Sequence, residues 1–433
     1  MTSQELASKA KSQKALYFKV GFILLLILLL LIPTAFITDL IHERANLQRQ
    51  TRYEIAQSWG STQVITGPVL SIPYITKYSG DGKPSLFQHT LYISPTEVSV
   101  SSDVKTEERA KGIYSTILYT AANDISGRFE LPQIGDFGAN VHEVRWSEAR
   151  VLIPVSQPTS IISVVNLDAV DEQYRMKAIK DKQLGSVLSA TVDITDLSEL
   201  DILATISTKG SESVEFVPSG ANQVVDMTCD WPSPGFGGGT LPVQRQISDA
   251  EFTARWTANE YSRPMPDMWK DDEYKADGRS SFGVQLVQTV DHYQKNLRSV
   301  KYSLLIIALS FLIFFFFEMM KGRRIHPLQY ILIGLGLSLF YLLLLSLSEH
   351  VGFDWAYLAA AGATTVLVVW YSSAVLGAGR SVTTLGGVLA ALYAYIFVLL
   401  QMEDYALLAG SLGLFLILAA VMGMTRRLNW YEQ

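Results

Sequence analysis

Val20-Gly21-Phe22-Ile23-Leu24-Leu25-Leu26-Ile27-Leu28-Leu29-Leu30-Leu31-Ile32 carries no charge, and the apolar run continues past Pro33 to Ile37. Lys9, Lys11, Lys14 and Lys19 precede it, which mimics the charged and apolar regions of a secretory signal. The stretch outlasts such a core, however, and no small-x-small cleavage site follows. It reads as an uncleaved anchor, residues 20–38, between a cytoplasmic segment 1–19 and whatever lies outside. Pro33 is tolerated near the outer end if neighbouring helices or water satisfy the carbonyl it frees.

The same chemistry returns after Lys301. Apolar runs at about 301–318, 328–347, 355–376, 382–400 and 405–424 each approach the ~20 residues needed to cross ~30 Å of hydrocarbon, forming a block over 300–425. Lys321, Arg323 and Arg324, then Arg380, then Arg426 and Arg427 follow the second, fourth and sixth spans. Glu349, Asp354, Glu403 and Asp404 occupy the alternate loops. Basic residues are retained on the cytoplasmic side, so both termini, 1–19 and 426–433, are expected inside and the large intervening region outside.

Composition fits this partition. A chain of 433 residues with 49% hydrophobic and 18% charged residues is too apolar for a soluble protein and too charged to lie wholly in lipid. A net charge of -6 without a Lys/Arg block argues against nucleic acid. The single cysteine, Cys229, cannot form a disulfide within the chain and reads as a buried small hydrophobe.

Residues 39–59 lack a helix breaker and predict a helical stalk that stops at Gly60. From 60 to 299 the chain turns β-like. Val69 to Ile75, Phe87 to Ile93, Ile113 to Tyr119, Ile161 to Val165, Ser186 to Ile194, Ile202 to Ile206 and Phe252 to Trp256 are among the short runs rich in β-branched and aromatic residues, punctuated by Gly, Pro, Asn and Asp. Without helices between strands, an antiparallel sandwich is expected rather than a parallel α/β sheet, as one body or two lobes. Ala169 to Gln183 is expected to be a helical insertion. The fold class is therefore a membrane protein: one N-terminal transmembrane helix, a large mainly-β domain outside the membrane and a C-terminal bundle of five transmembrane helices.

Four segments carry a resemblance. Val64-Ile65-Thr66-Gly67-Pro68-Val69-Leu70-Ser71-Ile72-Pro73, Glu107-Glu108-Arg109-Ala110-Lys111-Gly112-Ile113-Tyr114, the stretch from Trp231-Pro232-Ser233-Pro234 to Phe252-Thr253-Ala254-Arg255-Trp256, and His326-Pro327-Leu328-Gln329-Tyr330 with Ser348-Glu349-His350-Val351-Gly352-Phe353 resemble the bacterial inner-membrane protein CreD family. The resemblance spans nearly the whole chain in order. It implies a bacterial inner membrane, a periplasmic domain and a role in cell envelope integrity, linked to a two-component envelope response and to tolerance of colicins and β-lactams. It supplies no catalytic residues.

Chemistry must then stand on the residues themselves. His42-Glu43 and His142-Glu143 lack the second His, four residues on, that would put two zinc ligands on one helical face, so they read as polar residues facing solvent. Glu318, at the end of Phe314-Phe315-Phe316-Phe317, is a candidate intramembrane relay carboxylate. The competing account pairs it with Lys321, Arg323 or Arg324 at the interface. Gly235 and Gly237 to Gly239 lack the Lys-Ser/Thr ending of a phosphate loop and read as a turned loop. Trp231 and Phe236 are candidates for an exposed recognition surface, against a buried corner of the β region. Gly334, Gly336, Ser338, Gly362, Ala363, Gly386 and Gly387 suit close helix packing, while Thr364, Thr365, Ser372 and Ser373 suit hydrogen bonds within or between helices.

No catalytic, cofactor or metal constellation emerges, so a non-enzyme is expected. Its partners are membrane lipids and a periplasmic or inner-membrane protein. The other class is a transporter or membrane enzyme acting on a lipid or cell-wall intermediate, which a polar bundle cavity lined by Tyr393, Tyr395 or Ser372 would support.

Overall fold

The computed structural model describes residues 3–79, 84–271, 273–274, 280–286, 292–321, 325–376, 379–402 and 405–426. They divide into two compact units, residues 1–49 with 290–433, and residues 50–289.

The helical unit begins with α1, Ser3–Trp59, one continuous helix with Pro33 inside it. Ile23, Leu26, Leu30, Thr34, Ile37 and Ile41 are buried, a stripe at spacings of three and four, whereas Leu24, Leu25, Leu28 and Phe36 stay exposed. Such a helix presents one side to protein and the other to lipid. α2, His292–Lys301, is short and amphipathic, with Tyr293, Asn296, Ser299 and Val300 buried. Then follow α3, Ser303–Lys321; α4, Pro327–Val351; α5, Phe353–Leu376; α6, Arg380–Gln401; and α7, Ala406–Thr425. α1, the α2–α3 run, α4, α5 and α6 are long and apolar enough to cross a membrane, and α7 is a shorter apolar helix. Gly334 is where α1, α3 and α4 meet: a Cβ there would collide with Leu30 and lie 2.9 Å from Phe311. The Leu30 and Phe311 side chains would have to shift to admit even a methyl group at that crossing.

In the other unit the described strands form three sheets. The largest has eight strands in the order Gln244–Ile247, Phe252–Asn259, Asn222–Cys229, Glu97–Lys111, Tyr114–Glu130, Glu199–Ser211, Asn166–Ala169, Glu172–Arg175. The seven-stranded sheet runs Lys177–Asp181, Gly185–Thr191, Arg150–Pro154, Val69–Ser79, Pro84–Ile93, Met268–Lys270, with Val141–Val144 paired to Val69–Ser79. The third has four strands: Gln63–Thr66, Ser213–Val217, Phe282–Leu286, Pro234–Gly238. Pairing is antiparallel except between Gln63–Thr66 and Ser213–Val217 and between Asn222–Cys229 and Glu97–Lys111, which are parallel. Side chains alternate along a strand, and in Phe252–Asn259 every second residue is buried. One continuous apolar cluster draws on all three sheets: Leu70, Ile72 and Val151; Val100, Ile125, Phe129 and Trp256; Val214, Phe216 and Val284. This is a sandwich-like body with one main core, and a smaller apolar cluster of Val69, Tyr92, Leu152, Leu184, Val187, Met265 and Trp269 lies apart from it.

Residues 50–59 of α1 are seated on this body. The Trp59 ring lies between the guanidinium of Arg109, 4.5 Å from its centroid, and the ammonium of Lys209, 5.0 Å away. Lys111 pairs with Glu54 at 2.8 Å, and that ammonium holds the Glu54 carboxyl below its usual range.

Three local expectations fail. Ala169 to Gln183 is not a helix: Asn166–Ala169 and Glu172–Arg175 form a hairpin through Val170 and Asp171, both at positive φ, and Lys177–Asp181 is a further strand. A two-residue turn with both φ positive matches strand twist and stops a helix. The glycine run is not a loop, because Pro234–Gly238 is a strand paired with Phe282–Leu286, and glycine allows the close approach: a Cβ on Gly238 would lie 2.7 Å from the Phe282 Cα. Ile161 to Val165 makes only an isolated bridge, Ile161 with Thr208.

Candidate functional site

The sequence candidates fall in two places. Glu318 closes α3 and is buried, with its Oε1 accepting from the Lys19 ammonium and, at 3.0 Å, from the backbone N–H of Ile325. Its Oε2 accepts from the Tyr330 hydroxyl at 3.2 Å. The Tyr330 ring is held edge-on by Phe311 at 5.4 Å and by Phe314 at 6.2 Å. Three donors, one of them a cation, thus stabilise one carboxylate in an apolar setting, which offsets the desolvation of the charge. The cation is Lys19, from the first helix. Of the basic residues expected beside Glu318, Arg323, Arg324 and the Lys321 side chain lie outside what the structure describes. In the sequence Lys19 is one of the lysines that precede the first apolar run, and nothing local signals a partner 299 positions away.

The second place is Trp231 and Phe236. Both are partly buried and pack against the core of the β unit. Phe236 stands edge-on to Phe252 at 5.7 Å and to Trp256 at 5.8 Å, with the Arg245 guanidinium 5.9 Å from its centroid. It belongs to the edge strand Pro234–Gly238 of the four-stranded sheet, and Arg245 to the edge strand Gln244–Ile247 of the eight-stranded one. The aromatic corner is therefore an open seam between two sheet edges. Trp256 beneath it is fully buried, and its Nε1 has no hydrogen-bond partner. Cys229, on the neighbouring strand, is buried, and burial pushes its thiol up to about 12.

Elsewhere in the helical unit the interior is aromatic. Phe340 packs against Tyr341, Tyr357 and Tyr393 at 4.7–5.4 Å, and Tyr357 donates to the Tyr393 carbonyl at 2.9 Å. The hydroxyls of Tyr341, Tyr393 and Ser372 are buried and unpartnered, whereas Tyr395 donates to the Ala409 carbonyl at 2.7 Å and Ser373 to the Trp370 carbonyl at 2.7 Å. A cavity of about 210 Å³ between α4 and α5 is lined by Leu332, Ile333, Gly336, Leu367, Val368, Trp370 and Tyr371. It is apolar. Beneath α2, Asn296 donates to Ser348 at 2.9 Å and Tyr293 to Glu349 at 2.8 Å. His42, Glu43, His142 and Glu143 are solvent-facing or nearly so, and among the described residues no group of three or more His, Cys, Asp or Glu side chains converges as a metal site would.

A bundle of apolar helices with a paired carboxylate inside it, joined in one chain to a mainly-β body, defines a multi-pass integral membrane protein. Comparison with known proteins makes the class specific. The family described as Inner membrane protein CreD matches residues 15–431, and the chain belongs to that family. It is similar to "Inner membrane protein CreD" of Escherichia coli (strain K12), with 28% identity over 425 residues, 96% of this chain and 94% of that protein. It is thus a multi-pass inner-membrane protein of the bacterial envelope.

Proposed function

We propose that this chain is a non-enzymatic protein supporting cell envelope integrity and the envelope stress response, including tolerance of β-lactams and colicins. In this reading the β domain lies in the periplasm, both termini are cytoplasmic, and the domain binds or senses an envelope component or a protein partner while the bundle anchors it. The observation that carries it is the contrast in what each unit leaves open. The bundle's described cavity is apolar, and Glu318, the one buried carboxylate among its described residues, already accepts from three donors. The β unit keeps an open aromatic seam and a polar sheet face with a concavity of about 720 Å³ lined by Glu97, Arg128, Asp201, Asn222, Asp226 and Arg255 among others. The alternation of basic and acidic loops along the helical block supports the orientation.

The alternative, a transporter or membrane enzyme acting on a lipid or cell-wall intermediate, draws on the unpartnered hydroxyls of Tyr341, Tyr393 and Ser372. The test is rescue of a deletion strain under β-lactam and colicin challenge by the full chain carrying Tyr341→Phe, Tyr393→Phe and Ser372→Ala together. Rescue equal to wild type is expected, because an anchor needs none of these hydroxyls. Loss of rescue at normal membrane abundance would move the activity into the bundle.

A further inference from the structure

The edge strand Gln244–Ile247 has a neighbour on one side only, Phe252–Asn259, and no described strand pairs with its outer side. Cross-strand partners share a face, so Arg245, opposite buried Ala254, and Ile247, opposite buried Phe252, project on the core side of the sheet. They are nevertheless exposed. Leu241, Val243 and Ile247 are 65%, 58% and 51% accessible, so the apolar face ends in a ledge that the described residues do not cover. Natural edges are normally blunted by charge. The opposite side of the body follows that rule, with edge strands Glu172–Arg175 and Lys177–Asp181 carrying Glu172, Arg175, Lys177, Lys180 and Asp181. The 241–247 edge breaks it.

We propose that 241–247 is a docking edge for an extended segment of a partner protein, which adds as a ninth strand, lays apolar side chains on Leu241, Val243 and Ile247, and carries an acidic residue against Arg245. The inference rests on the reading that the β domain is the recognition part. Two features select a peptide strand. An open row of backbone donors and acceptors is matched residue by residue only by another extended backbone. Arg245 is the edge's cation and forms no ion pair among the described residues; its one described contact is with the Phe236 ring, so the occupant's complementary charge is negative.

The test uses the full chain in cells, with a photo-crosslinking amino acid in place of exposed Gln246 and, as control, of Lys180 on the opposite edge. The expected result is an adduct from 246, absent from 180, whose partner peptide maps by mass spectrometry to one extended segment with alternating apolar residues and an acidic residue. Val243→Lys with Ile247→Lys is expected to lower its yield roughly 10-fold and Arg245→Glu several-fold, the scale of losing a buried anchor and of reversing a charge pair. Arg245→Glu alters an exposed residue and serves if the double variant fails to fold. No adduct at 246, an equal adduct at 180, a yield untouched by these variants, or an adduct with a lipid, a second copy or the chain itself overturns the docking edge. Its failure is separable from that of the broader reading: if the bundle variants above rescue and the edge variants also rescue, the domain functions through another surface.

Discussion

Phe129, Ile125 and Val100 are hidden in the β unit, whereas Leu24, Phe36, Trp355 and Trp370 stand out of the helical one, the last three at 69%, 72% and 70% exposure. The two units have opposite outsides because they answer to different solvents. In water, burial of apolar surface drives the fold and the exposed face of each strand is left to Ser, Thr, Asp and Arg. In lipid that drive is missing, so the helices are held by close approach at Gly334 and by polar glue such as the Lys19–Glu318–Tyr330 set. Apolar mismatch should therefore be the weak point of one unit and polar mismatch that of the other.

The sharpest way to break the contrast is Glu318→Leu, which adds apolar surface yet strands Lys19 and the Tyr330 hydroxyl. Removing one partner of a buried pair costs about 3–5 kcal/mol, and thermal unfolding in detergent should show it as the largest drop in this set. Adding Lys19→Met should recover most of the loss. If Glu318→Leu alone is neutral, polar glue is not what holds this unit.

Tyr119→Phe tests the β unit with a smaller change. The hydroxyl donates to the Ser213 carbonyl at 2.7 Å in a fully buried setting, and burial keeps its ionisation above the ordinary tyrosine value. Losing the donor removes one buried hydrogen bond, at about 0.5–1.5 kcal/mol. The cost should appear in the unfolding midpoint and not in the membrane extraction profile.

The smallest effect concerns stability least and accessibility most. A thiol near 12 is protonated from pH 7 to 9, so Cys229 should resist maleimide labelling across that range in the native chain and label readily once unfolded. Labelling that rises with pH in the native state would mean that the strand pair Asn222–Cys229 and Phe252–Asn259 opens locally.

Hydropathy made the helical unit legible in sequence because twenty-residue apolar runs have few other uses. The β unit was legible only where apolar residues crowd together. Glu97–Lys111, one of the longest strands, escaped notice: Val98, Val100 and Val104 alternate properly, but Ser, Asp, Lys and Glu fill the outward positions and dilute the signal. The turn at Val170 and Asp171 escaped because β-branched residues rarely take positive φ, and a Pro-flanked glycine run gave no hint that it would pair as a strand. Of the candidate residues, Glu318 was visible as a carboxylate beside phenylalanines, but its cation was not, since sequence distance hides tertiary contact. Phe236 and Trp231 were visible as aromatics, but their seam depends on which strands finish as edges.

The separation of Lys19 from Glu318 also sets a clock. At 5–20 residues per second, a ribosome needs about 15–60 s to deliver the carboxylate after the lysine has emerged, 299 positions earlier. During that interval Lys19 is without its carboxylate partner, and the whole β body must be made before that partner arrives. Assembly of the helical unit is therefore a late event in the protein's synthesis, since its ion pair waits for the third helix.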